Sequence, residues 1–136
     1  MKFTIPLEPT GQMRARHGVV NGHARTYKHA KQLANENKLL TLALPYRPEA
    51  PFDTALDVSI VAYMPIPRSM AKFRAEMART GEIRPTGKPD SDNIAKNVLD
   101  AFNGVFWKDD KSIVGLVVRK YYSDEPRYEI EIKEAI

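Results

Sequence analysis

Lys88-Pro89-Asp90-Ser91-Asp92-Asn93-Ile94-Ala95-Lys96 runs on through Asn97-Val98-Leu99-Asp100-Ala101-Phe102-Asn103-Gly104 and, after Trp107-Lys108, reaches Asp109-Asp110. Ile94, Val98, Ala101 and Phe102 recur at helical spacing, so Asp92 to Asn103 is expected to form a helix that buries this stripe. Gly104 is a natural stop just past its end. Asp92, Lys96 and Asp100 stand at i, i+4 and i+8 on a second stripe, where packing does not demand them. Asp90 precedes the helix by two residues, which places its carboxylate near the same N-terminal end. Two acidic clusters therefore flank one apolar helix, with a lysine alongside.

The flanking sequence completes a sheet around this helix. Downstream, Ile113 to Tyr122 and Arg127 to Ile132 read as strands joined by a turn at Ser123-Asp124-Glu125-Pro126. Tyr128, Ile130 and Ile132 alternate with Glu129, Glu131 and Lys133, so the last strand has one buried and one wet face. Upstream, Thr54 to Met64 puts Leu56, Val58, Ile60 and Ala62 on one side and Val61 and Tyr63 on the other, as in a strand largely covered on both faces. Ser69 is placed to cap a helix from Met70 to Arg79, with Phe73 and Met77 sharing one face and Gly81 ending it. Tyr27 to about Leu44 has helical composition and stops at Pro45, and Phe3 to Leu7 reads as a short edge strand. The order β-α-β-α-α-β-β predicts an α+β (mixed α/β) fold, with a mixed sheet of about four strands and helices packed on it.

With 136 residues, 43% of them hydrophobic, the chain suits a single domain over 1–136 with one core. It contains no cysteine, which excludes disulfides and thiolate-zinc sites. Met1 to Pro6 holds no apolar core of signal-peptide length, and no later run approaches the roughly 18 apolar residues of a membrane span. The expectation is a cytoplasmic protein without a membrane partner. Charge is unevenly spread: residues 1–88 carry 14 Lys and Arg against 7 Asp and Glu, net +7, and residues 89–136 carry 7 against 10, net −3. Within the basic part, Gly11 to Lys31 holds Arg14, Arg16, Arg25, Lys28 and Lys31 with no acidic residue. This stretch, about 11–31, reads as a loop or hairpin arm offering a phosphate-binding surface, or as a plainly solvated loop.

Each acidic cluster has an ordinary structural explanation. Asp90 or Ser91 could cap the helix, Asp92 could favour its first turn, Asp92 and Lys96 could pair, and Lys108 to Lys111 could be a solvated turn. Together the clusters suggest more. Carboxylates at the start of a helix, one turn into it and at the mouth of the following strand can converge as hard oxygen ligands for a divalent cation. Such a site suits phosphodiester hydrolysis, and Lys96 could stabilise charge or position the attacking water. Asp100, on the same stripe, lies farther off.

Lys88-Pro89-Asp90-Ser91-Asp92-Asn93, Lys96, Asp100-Ala101-Phe102-Asn103-Gly104 and Trp107-Lys108-Asp109-Asp110 resemble the signature of the RusA-type Holliday junction resolvases, common in prophages. The resemblance is close over residues 88–118 and looser over the rest. It implies a Mg²⁺-dependent endodeoxyribonuclease, with Mn²⁺ as a possible substitute, acting as a homodimer on four-way DNA junctions in recombination and repair. It further implies paired nicks in strands of like polarity. Residue by residue, Asp90, Asp92 and Asp110 match the family's metal-binding carboxylates, Lys96 its essential lysine, and Asp109 the supporting acid. Arg14, Arg16, Arg25, Lys28 and Lys88 are the candidate DNA contacts. A non-catalytic nucleic-acid-binding module, and a nuclease for flaps, forks or duplex DNA, are the competing readings.

Overall fold

The computed structural model describes residues 1–11, 16–20, 23–27 and 30–136, the segments 16–20 and 23–27 by their backbone. Arg14 and Lys28 lie outside the described residues, as do the side chains of Arg16 and Arg25. The chain begins with β1 (Lys2–Ile5), followed by the antiparallel pair β2 (Arg16–Val20) and β3 (His23–Tyr27) and then α1 (Ala30–Ala43). The basic segment is thus a hairpin. After a 3-10 turn at Leu44–Tyr46 come β4 (Leu56–Pro65), α2 (Lys72–Arg79), α3 (Ser91–Phe102), a second 3-10 turn at Asp110–Ser112, β5 (Ile113–Ser123) and β6 (Arg127–Glu134).

Four strands form a mixed sheet in the order β1-β6-β4-β5, parallel between β4 and β5 and antiparallel elsewhere. This is the expected α+β class in one small domain, and β1 is an edge as its prolines foretold. β4 alternates buried and half-buried residues along its whole length. Its second face is therefore less covered than the apolar Val61 and Tyr63 suggested. Leu56, Val58 and Ile60 of β4 with Tyr128, Ile130 and Ile132 of β6 make the sheet side of the core. Leu39 of α1 and Ile94, Val98 and Phe102 of α3 close it from above, together with Phe106 and Trp107. The last three aromatics are fully buried, so they are core and not an external contact surface. At about 1.5–3 kcal/mol for each large apolar side chain removed from water, this stripe is what holds α3 on the sheet.

No helix among the described residues is long and apolar enough to cross a membrane.

One helix differs from expectation. Ser69 does not cap α2, which starts at Lys72 after Ala71, and no side chain makes a capping bond there. Nor does α2 dock through Phe73, which is 69% exposed; its buried residues are Ala75 and Ala78. Small side chains allow the helix to lie close to its support, and the aromatic is turned outward.

Candidate active site

α3 begins where the sequence suggested, with Asp90 at the N-cap position and its carbonyl accepting from the Ile94 amide at 3.0 Å. The Asp90 side chain makes no capping bond. Its carboxylate therefore has no structural task in the helix end, and the ordinary explanation for this residue loses its main support. Asp92 lies in the first turn and Lys96 one turn on, both exposed. Among the described residues, the side chains of Asp90, Asp92 and Lys96 have no ion-pair partner, so the Asp92–Lys96 pairing that spacing permits is not made.

The second cluster is fixed from the other end of the helix. Gly104, at φ 81°, turns the chain after α3 in the left-handed conformation that glycine adopts most easily. The return is then laced to residue 52: the Phe52 amide donates to the Phe106 carbonyl and the Lys108 amide to the Phe52 carbonyl, both at 2.9 Å. The Asp110 amide donates to Asn103 Oδ1 at 3.1 Å, and the Lys111 amide to Asp109 Oδ1 at 3.0 Å. Asn103, just past the last turn of α3, thereby ties Asp110 to the helix that carries Asp92 and Lys96.

Electrostatics set the two adjacent acids apart. Partial burial, then the hydrogen bond its protonated carboxyl donates to Asp109, then the charges of Asp109 and Asp100, push Asp110 above the usual carboxylate range. Asp109 is held below it, first by the Lys111 amide and then by Asp110. Asp100 thus belongs to the Asp109–Asp110 end. A rise of 1.5 Å per residue puts it about 12 Å along the helix from Asp92. Among the described residues, no three His, Cys, Asp or Glu side chains gather into a ready-made metal site. The donors themselves are hard carboxylate oxygens, and those of Asp90 and Asp92 pair with no cation among the described residues. That is the chemistry a Mg²⁺-sized cation requires.

Because Asp110 binds a proton more readily folded than unfolded, its stabilising contribution belongs to the protonated form. It is complete below the unfolded carboxyl's pKa and lost as pH rises through the folded, raised value. Asp110→Asn should therefore raise the melting temperature of the metal-free protein at pH 7, by a surface-scale amount within about 0.5 kcal/mol. The gain should vanish in acid, where the wild type is itself protonated. Melting curves at both pH values check this, and a lower melting temperature at pH 7 would contradict it.

The structure also joins the basic arm to this helix, which sequence reading did not anticipate. At the arm's start, a Cβ on Gly11 would stand 2.8 Å from Pro89 Cβ and 3.0 Å from Asn93 Cβ, so only glycine lets the chain lie against the acidic motif. At the arm's end, Gln32 of α1 donates from Nε2 to Asn97 Oδ1 of α3 at 2.8 Å and to Glu36 Oε1 at 3.1 Å. Asn97 Nδ2 in turn donates to the Thr10 carbonyl at 3.3 Å and to the Tyr128 hydroxyl at 3.4 Å, and the Thr10 amide donates to that hydroxyl at 3.0 Å. Both roots of the arm are seated on the helix of Asp92 and Lys96. The signal was present in the sequence: Asn97 falls inside the apolar stripe of Ile94, Val98 and Ala101, where a polar residue needs partners. Asn97→Leu should cost about 1–3 kcal/mol in urea unfolding, because Gln32 Nε2 and the Thr10 carbonyl lose a buried partner. Unchanged stability would show the network to be dispensable.

The clefts lined by Leu44–Glu49, by Asp57 and Gly115, and by Arg68 and Asp124 do not include the acidic motif. Asp90, Asp92 and Lys96 instead lie on open surface, which suits a large polyanionic substrate better than an enclosed small molecule.

Residues 6–133 match the family described as Endodeoxyribonuclease RusA. The chain is also 38% identical over 136 residues to a Bacillus subtilis (strain 168) protein called "Uncharacterized protein YqaN", a match covering 98% of this chain and 96% of that one.

Proposed function

The chain belongs to the RusA endodeoxyribonuclease family, enzymes that hydrolyse phosphodiester bonds of DNA, and from that premise we propose that it resolves four-way DNA junctions with Mg²⁺. The observation that carries this reading is the seating of both roots of the basic arm, at Gly11 and Gln32, on the helix that presents Asp92 and Lys96. An arm that grips phosphates is thereby anchored beside the carboxylates that would cut them. In this reading the competing idea of a binding module without catalysis is set aside. A preference for flaps, forks or linear duplex is an alternative that substrate comparison decides.

Asp90 and Asp92, together at the start of α3, would hold a divalent cation, which when bound activates water and neutralises charge on the scissile phosphate, and Asp110, tied to Asn103 beside the far end of the helix, is the third carboxylate that the family resemblance assigns to this task. Lys96, exposed one turn from Asp92 and without an ion-pair partner among the described residues, supplies a positive charge for the developing phosphorane. Asp109, held ionised by the Lys111 amide, keeps negative charge beside Asp110 and supports cation binding there. Arg14, Arg16, Arg25, Lys28 and Lys88 would hold the DNA backbone. A cytoplasmic role in recombination and repair, in a prophage setting, follows from the same reading.

Paired symmetric nicks need two active sites related by a two-fold axis, hence a homodimer. β5 supports one. It is the second edge of the sheet, eleven residues long, with Val114 65%, Leu116 43% and Val117 46% exposed. Its C-terminal end is blocked, because Arg84 Nε donates to the Lys120 carbonyl at 2.6 Å and Lys120 Nζ to the Gly87 carbonyl at 2.6 Å. The open part is the apolar part. A long apolar edge of this kind is a template for pairing, and a two-fold axis normal to the sheet at Leu116 would set Val114 opposite the second copy's Val118. Leu116→Lys should therefore shift the protein to monomer in sedimentation and replace paired nicks by single ones.

The function is tested by incubating the protein with a synthetic four-way junction, a flap, a fork and a duplex at one salt concentration, with and without Mg²⁺. Symmetric metal-dependent nicks favouring the junction are expected. Equal cutting of all four would overturn the junction assignment and leave the nuclease.

A further inference from the structure

α2 is built inside out. Its docking face consists of Ala75 and Ala78, 8% and 1% exposed, and is secured by Arg79, whose Nε donates to Asp124 Oδ2 in the β5–β6 turn at 2.7 Å. At 100° per residue, Phe73 and Met77 fall on the opposite side of the helix. Phe73 is 69% exposed, the largest exposure of any aromatic side chain among the described residues, and Met77 is half-buried. Lys72 and Arg74 flank Phe73 in the helix and Arg68 precedes it by five residues; all three are exposed and, among the described residues, without an acidic partner. Arg68 and Lys72 line a cleft with Glu76, Arg79 and Asp124 that Phe73 itself does not line.

The helix is held in place at its C-terminal end. Glu82 closes its C-terminus by donating its amide to the Met77 carbonyl at 2.9 Å, with Gly81 at φ 85°. The chain then runs to Asp90 under two clasps on β5: the Arg84 guanidinium 3.8 Å over the Tyr121 ring, and Lys120 on the Gly87 carbonyl. Phe73 therefore sits on a supported element of the same crossover that ends in the acidic motif, and not on a free loop.

An exposed aromatic costs free energy in water, and the choice of occupant follows from size and charge. One ring and part of a methionine fall far short of the roughly 800 Å² per partner of a stable protein interface. An exposed ring with three cations within five residues of it, none paired among the described residues, matches a base with its neighbouring phosphates, since every base offers a π-face and stacking is sequence-tolerant. Bases inside a duplex are already stacked. At a branch point they are released cheaply, so such a contact favours branched over linear DNA.

We propose that Phe73, with Arg68, Lys72 and Arg74 close to it in the chain, is a stacking contact for an unpaired base at the branch point of a DNA substrate. The inference rests on the junction reading above and adds to it a residue that sets substrate preference.

The test measures binding of a four-way junction and of a linear duplex at one salt concentration, in the full-length, non-cleaving Asp92→Asn background. Phe73→Ala should weaken junction binding about tenfold and leave duplex binding unchanged. Phe73→Leu should do the same, since it keeps apolar bulk but has no ring, whereas Phe73→Trp should keep the junction preference. Retention of the full preference in Phe73→Ala and Phe73→Leu overturns the inference alone and leaves the resolvase reading standing. Equal losses on both DNAs overturn it too, as does a change in sedimentation mass, which would assign the ring to a protein contact. If the parent protein itself shows no preference for the junction, both readings fall.

Discussion

Cleavage of a four-way junction should fall at least about a hundredfold in Asp92→Asn while junction binding is retained, because residues only supporting a metal ligand are already worth about 10–100-fold. The substitution removes a charge from an exposed carboxylate with no partner among the described residues, so the fold loses nothing that it uses. It also removes one oxygen donor from the set that would hold the cation. The measurement is single-turnover cleavage against metal concentration beside a binding titration without metal. Loss of both binding and cleavage would point to a fold defect, and undiminished cleavage would remove Asp92 from the site. Asp90→Asn should behave alike, since the Asp90 side chain makes no capping bond that the helix would miss.

Neutralising Arg14, Arg16, Arg25 and Lys28 together should produce the largest change in binding. If each holds one phosphate, the slope of log affinity against log salt should become shallower by roughly 3–4, at about 0.9 per phosphate released. Affinity at low salt should drop correspondingly, and the metal requirement for any remaining cleavage should be unaltered. Salt titrations of wild type and variant on one junction check this. An unchanged slope would reduce the arm to a solvated hairpin. The roots of the arm make the prediction specific: Gly11 against Pro89 and Asn93, and Gln32 on Asn97, fix on α3 the points where it leaves and rejoins the fold.

Most of the architecture was legible because its elements repeat apolar residues at clear periods. Ile94, Val98, Ala101 and Phe102 announced α3, and Tyr128, Ile130 and Ile132 announced β6; both sets are buried. α2 was misread for the same reason. Phe73 and Met77 form a helical apolar pair, and pattern alone cannot say that the helix will rest on Ala75 and Ala78 instead. Close packing favours small residues wherever a helix lies near its support, and that distance is a property of the assembled fold.

At the acidic motif the division is similar. Which residue types could bind a cation, and that Asp90 opens the helix, followed from local chemistry and helix signals. That the Asp90 carboxylate is unused by the helix end, and that lost solvation and then Asp109 push the Asp110 carboxyl up, depended on side-chain geometry at the helix end and across the turn after Trp107. The bond from Asn103 to the Asp110 amide spans seven residues and has no period to betray it.

The sequence by itself determined the secondary elements, the family and the identity of the acidic residues, because periodicity, caps and motifs act over a few positions. Tertiary structure alone decided that β4 would lie between β6 and β5, that the arm would spring from the helix of Asp92, and that Phe73 would face solvent. Those outcomes rest on contacts such as Gly11 with Pro89 and Gln32 with Asn97, between residues 65 or more positions apart. Their partners are selected by packing and by the need to pair buried polar groups, which no local pattern records.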